Sequence, residues 1–153
     1  MNHRLSAIRP KDFLFVVLYG LFLPVILGFL FGLIDYYLQS FVSISFGYLF
    51  LWVMGMNIGS LVRKQYENPH VIYSILTGIG ILLSASVILA TPAIWAVAPI
   101  QSLADLTLYL TYYFYNFISL FNPVAWVQSF GINMILELLI IGVGTYLGVK
   151  RTL

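Results

Sequence analysis

Residues 131–149 read GINMILELLIIGVGTYLGV and are followed at once by Lys150 and Arg151. A helix of this length reaches roughly 28 Å, close to the thickness of a bilayer's hydrocarbon core. Glu137 lies in its first half, and Gly142, Gly144 and Gly148 lie in its second. A carboxylate at the middle of a spanning helix costs about 2.5–3.5 kcal/mol even on a lenient insertion scale. Such a group is therefore paired, protonated or turned to a wet cavity.

The rest of the composition points the same way. The chain has 153 residues, 61% hydrophobic and 17% aromatic, with a mean hydropathy of +1.00. Only 8% are charged, against about 25% in a soluble domain. A soluble surface cannot be built from so few charges, so the expected class is an integral membrane protein. A single transmembrane domain over residues 1–153 uses the whole length, which leaves no soluble catalytic domain beside it. There is no cysteine, which excludes disulfides, thiolate metal sites and cysteine nucleophiles. The net charge of +2 is too small to call for nucleic acid. The apolar run between Asp12 and Asp35 exceeds the about 7–15 residues of a signal sequence and carries no A-x-A cleavage site. It reads as a retained span.

Spans are expected at about 13–34, 41–62, 71–90 and 131–149. Gly20, Pro24, Gly28 and Gly32 recur every four residues along one face of the first, where small side chains let a second backbone approach. Pro24 is expected to kink it. Gly55 and Gly59 make the same small-residue face in the second span, and Gly144 and Gly148 in the last. Asn57 is expected to hydrogen-bond across helices. Thr91-Pro92 is expected to end or bend the third span, because a residue before proline avoids the helical region.

Residues 100–130 admit two paths. Ser102, Asp105, Tyr109, Tyr112, Asn116 and Ser119 form one polar stripe at helical spacing. That helix either lies in the membrane interface, with its tyrosines at the water boundary, or crosses with its stripe turned to other helices. Charge favours the first path. Basic residues occur near the N-terminus (Arg4, Arg9, Lys11), at 63–64 and at 150–151, and none lies between Lys64 and Lys150. Four spans place all three clusters on the cytoplasmic side, as the positive-inside rule asks. The expected fold is thus an all-α, integral membrane four-helix bundle, with an extra interfacial or re-entrant amphipathic helix between spans three and four. Both termini are expected to be cytoplasmic, and the cell membrane is the expected location.

Chemistry is sparse. Counting depth from the far end of each span puts Glu137 level with Tyr48, Ser84 and Ser86, and Asn133 lies one helical turn away on the same face. These five residues are the candidate intramembrane polar site. It reads either as a proton or cation site or as a structural contact to a partner subunit. No nucleophile–base pair, metal cluster or cofactor motif accompanies them. His70 opens the third span without a second ligand nearby. The abundant small-residue faces predict packing, so the leading expectation is a non-catalytic subunit or scaffold of a membrane assembly. A homo-oligomeric channel or a proton- or cation-coupled transporter using Glu137 is the alternative. A lipid-binding protein that grips acyl chains with Phe114 and Phe117 is the third. The expected partners are membrane lipid, further copies of the chain or other membrane subunits.

Overall fold

The computed structural model describes residues 8–128 and 131–153, apart from the side chains of Ala125, Trp126, Gln128, Ile132 and Asn133. Arg4 and the Asn133 side chain of the expected polar site lie outside the described residues. The chain forms α1 (Pro10–Val42), α2 (Gly47–Arg63), α3 (Val71–Val97), α4 (Leu103–Leu120), the short α5 (Pro123–Gln128) and α6 (Ile132–Lys150). There is no strand among the described residues. Two of these helices, α1 and α3, are long and apolar enough to cross a membrane.

Both of these helices run past the ends expected from sequence. Pro24 has no N–H to donate, and α1 absorbs the defect in one π-helical turn, Leu18–Phe22, without breaking. It continues to Val42, where Ser43 adopts a left-handed conformation (φ 57°) and ends it. In α3 the helix passes through Pro92 to Val97. There the Thr91 hydroxyl bonds the Val87 carbonyl at 2.6 Å. The carbonyl freed by Pro92, that of Ile88, lies against Gly32 of α1. Proline ends helices by stranding a carbonyl, and here neighbouring groups cover it.

The faces of α1 are sorted by size. Val16, Gly20, Pro24, Gly28 and Gly32 are buried in steps of four. Leu14, Leu18, Phe22, Ile26, Leu30 and Ile34, also in steps of four, are 46–58% exposed. Small residues face inward because α1 rests almost backbone to backbone on α3. A Cβ on Gly80 of α3 would run into the Gly20 carbonyl.

Helix α3 is the axis of the bundle and touches every other long helix. Its buried Ile81, Ala85 and Ile88 share one core with Leu51, Met54 and Ile58 of α2 and Ile141 of α6, while Thr77 and Ser84 lie against Gly20 and Gly28 of α1. Helices α2 and α6 run parallel, with Gly55 against Gly144 and Gly59 against Gly148. Trp52 crosses between them, donating its indole N–H to the Ile140 carbonyl at 3.1 Å. Asn57 does not make the expected interhelical bond; its amide bonds Val53 of its own helix at 2.7 Å.

Helix α4 returns antiparallel alongside α3. The Tyr109 hydroxyl donates to the Ala98 carbonyl (2.7 Å), Tyr113 pairs with Thr91 (2.8 Å), and Asn116 donates to the Ser86 carbonyl (3.1 Å). The expected polar stripe is therefore split. Tyr109 and Asn116 turn to α3 together with Tyr113, while Tyr112 and Ser119 stay exposed. The helix does not lie across the end of the bundle. Hydroxyls that could sit at a water boundary find acceptors on α3 instead.

The lysines and arginines of the described chain gather at one end. Arg9 pairs with Glu67 at 2.9 Å, and Arg151 reaches the Met56 carbonyl and Ser60, each at 3.3 Å. The buried Thr152 locks the chain beyond α6 into this end through Ser74 (2.7 Å) and the hydroxyl of Tyr66. Asp35, Asp105 and Glu137 lie toward the other end.

Candidate functional site

Glu137 stands on α6 about 20 Å along the helix from Lys150. Its side chain is exposed, and its electrostatic neighbour is the hydroxyl of Tyr48 at the start of α2. Around this pair the flank is apolar, with Leu49, Trp52, Val53, Leu136, Leu139 and Val143 all exposed. The level assigned to Tyr48 and Glu137 by counting along the helices is the level at which they meet.

Ser84 and Ser86 do not join them. Ser84 donates to the Ile81 carbonyl (2.7 Å) and packs its backbone against Gly28 of α1. Ser86 donates to Leu83 (2.7 Å) and gives its own carbonyl to Asn116 of α4. Both hydroxyls are spent on the backbone of α3, as serines in helix interiors commonly are. Depth along a helix is readable from residue number, but the direction around it is not. The glycine faces do pair: Gly28 and Gly32 on α3, and Gly55 and Gly59 on Gly144 and Gly148 of α6.

No known protein family, curated protein or solved structure matches this chain.

Asp35, one residue past the expected end of the first span, is the most enclosed of the acids. Asp35 is 1% exposed. Because α1 continues to Val42 and the chain then doubles back, residues 45 and 46 return to the level of residue 35. One carboxyl oxygen, Oδ1, accepts the Phe46 backbone N–H at 2.6 Å. The other, Oδ2, accepts the Gln39 amide and the Ser45 hydroxyl, each at 2.8 Å. Asp35 thereby holds the start of α2 in place, taking up an N–H that the helix cannot satisfy itself. The spacing Asp35–Gln39, one helical turn, was visible in the sequence; the return of Ser45 and Phe46 was not. Beside it opens a cleft of 490 Å³ between the end of α1 and the Pro92–Ala93 stretch of α3.

Two further groups open helices. Asp105 forms a capping box with Ser102 at the start of α4. The Gln101 N–H, then the Ser102 N–H and hydroxyl, hold its carboxyl below the ordinary carboxylate range. His70 caps α3 by accepting the Ile72 N–H on Nδ1 at 3.2 Å, while its buried Nε2 has no hydrogen-bond partner within the described fold. No three metal-ligating side chains converge among the described residues.

Proposed function

We propose that this protein is an integral membrane four-helix bundle, with α4 folded back against it, that serves as a non-catalytic subunit or scaffold of a membrane assembly. The reading of a membrane surround draws on the inverted sorting of α1. In water, each large side chain left out of a core forgoes about 1.5–3 kcal/mol. A helix that buries glycine and exposes leucine loses nothing when its solvent is itself apolar. With the basic end taken as cytoplasmic, the start of α1 and the end of α6 lie on that side.

The Glu137–Tyr48 pair carries the assembly reading. A carboxyl on an apolar flank about 20 Å from the basic end, with a tyrosine hydroxyl as its polar neighbour, needs further donors or a cation. A second copy in the same orientation brings no described lysine or arginine to that level. The flank fits a spanning helix of another subunit that presents a cation or a further hydrogen-bond donor. Gentle extraction and affinity purification test this. A second membrane protein should co-purify and crosslink to Leu139→Cys or Val143→Cys, and Glu137→Ala should lower its retention by about tenfold, or 1.4 kcal/mol. A lone monomer in every mild detergent, with no crosslink at either position, would end the assembly reading.

One observation supports lipid contact as well. A predominantly apolar cleft of 240 Å³ runs between α1, α3 and α4, bordered by Val25, Val87, Leu110, Tyr113, Phe114 and Phe117. Acyl chains fit such a groove, and bound lipid in the gently purified protein is the measurement that bears on it.

A further inference from the structure

The far end of the bundle combines a buried carboxyl, an open cleft beside it and, among the described residues, no cation. Asp35 makes no ion pair, since Arg9–Glu67 is the only salt bridge among the described residues. The nearest lysine on its own helix, Lys11, lies about 36 Å away along the axis. A buried carboxylate is tolerated when hydrogen-bonded, and more fully when a cation balances it. Asp105 and Glu137 add negative potential in the same half, which draws cations and repels anions.

The walls of the cleft are rich in acceptors. The Ser40 hydroxyl proton is given to the Tyr37 carbonyl at 2.6 Å, and that of Ser45 to Asp35, so what the two oxygens still offer is acceptor capacity, one lone pair of Ser45 being taken by the Gly47 N–H at 3.3 Å. Gln39 points its Nε2 at Asp35 and keeps Oε1 as a free acceptor. The opposite wall, with Leu89, Pro92 and Ala93, is apolar. A primary ammonium carries three donors and no acceptor, and an alkyl stem matches the wall facing it. Anionic heads find no cation here, and an uncharged stem leaves the charge of Asp35 unbalanced.

We propose that this cleft binds an alkylammonium group seated against Gln39, Ser40 and Ser45 over the Asp35 carboxylate. The source is either the head of an aminophospholipid or a free amphiphilic amine. The lipid source rests on the membrane reading above; the free amine does not, and neither depends on a partner subunit.

Titration calorimetry on the full chain in nonionic detergent distinguishes the sources, with hexylammonium as one probe and mixed micelles of phosphatidylethanolamine or phosphatidylglycerol as the others. Ala93→Trp fills the cleft from an exposed position of α3 and leaves every Asp35 hydrogen bond in place. Asp35→Asn removes the charge and keeps the shape. Binding of hexylammonium or phosphatidylethanolamine by the wild type, weakened at least about tenfold by Ala93→Trp, supports the proposal. Which of the two binds identifies the source. Equal binding by wild type and Ala93→Trp overturns it, as does no binding of either amine or equal binding of phosphatidylglycerol. Because Ala93→Trp spares the hydrogen bonds, the test stands even where Asp35→Asn fails to fold.

Discussion

Asp35 and Glu137 are two carboxyls in the same half of one small bundle, and they are held in opposite ways. Asp35 sits where an apolar run gives way to polar residues, yet it is enclosed and takes three hydrogen bonds from three different residues. Glu137 sits inside an apolar run, yet it is exposed and meets Tyr48. Position along the chain therefore does not set enclosure. What sets it is whether the chain comes back: residues 43–46 return over Asp35, and nothing in the described fold covers the α6 flank.

The same contrast separates glycines, and there the largest effect is expected. Gly80 faces the Gly20 backbone at the α1–α3 contact, whereas a Cβ on Gly142 of α6 meets nothing within 4 Å. Gly80→Ala should destabilise by about 4 kcal/mol, at the high end for added bulk, because a backbone carbonyl cannot swing aside. Gly142→Ala should be neutral or stabilise by up to about 1 kcal/mol through helix propensity. Thermal unfolding of both variants in one detergent checks this. Equal melting temperatures would erase the distinction between the packed and open faces.

Next in size is the difference between the acids themselves. Asp35→Ala takes the acceptor from the Phe46 N–H and from the Ser45 and Gln39 donors and leaves a hole at a fully buried position, and should cost about 3 kcal/mol. Glu137→Ala on the exposed flank should change the stability of the isolated protein by less than about 1 kcal/mol. Denaturation by urea in mild detergent gives both values. A Glu137 loss as large as that at Asp35 would mean that its exposure is not what the fold shows.

The smallest effect concerns the third acid of this half. The folded pKa of Asp105 is depressed by the Gln101 and Ser102 donors, so its contribution is present above the ordinary carboxyl value. It is lost as pH falls through the lower, folded value. Amide exchange at the first turn of α4 should accelerate below the ordinary carboxyl range, and Asp105→Asn should remove that pH dependence. Exchange at residues 103–106 that is flat through acidic pH would contradict the capping box.

Much of this molecule is legible in its sequence. Small residues at four-residue spacing identified the contact faces at Gly28, Gly55 and Gly144, because close approach requires the absence of a Cβ wherever two backbones touch. The level shared by Tyr48 and Glu137 followed from rise per residue alone. The expected serine partners of Glu137 and the flat path of α4 did not hold, and one cause underlies both. Ser84 and Ser86 bond the Ile81 and Leu83 carbonyls of their own helix and Tyr113 pairs with Thr91, and residue spacing alone does not choose such partners.

The sequence by itself determined that the chain is helical, that its cations gather at one end, and how far along each helix its acids lie. These are axial properties, fixed by residue count and hydropathy. Rotation about each axis was left to tertiary structure: which acid is enclosed, which is bare, and that α4 leans on α3. Hydropathy orients a helix only when one side of it is polar. Here both the interior and most of the outer surface are apolar, so backbone contact and hydrogen bonding set the orientation.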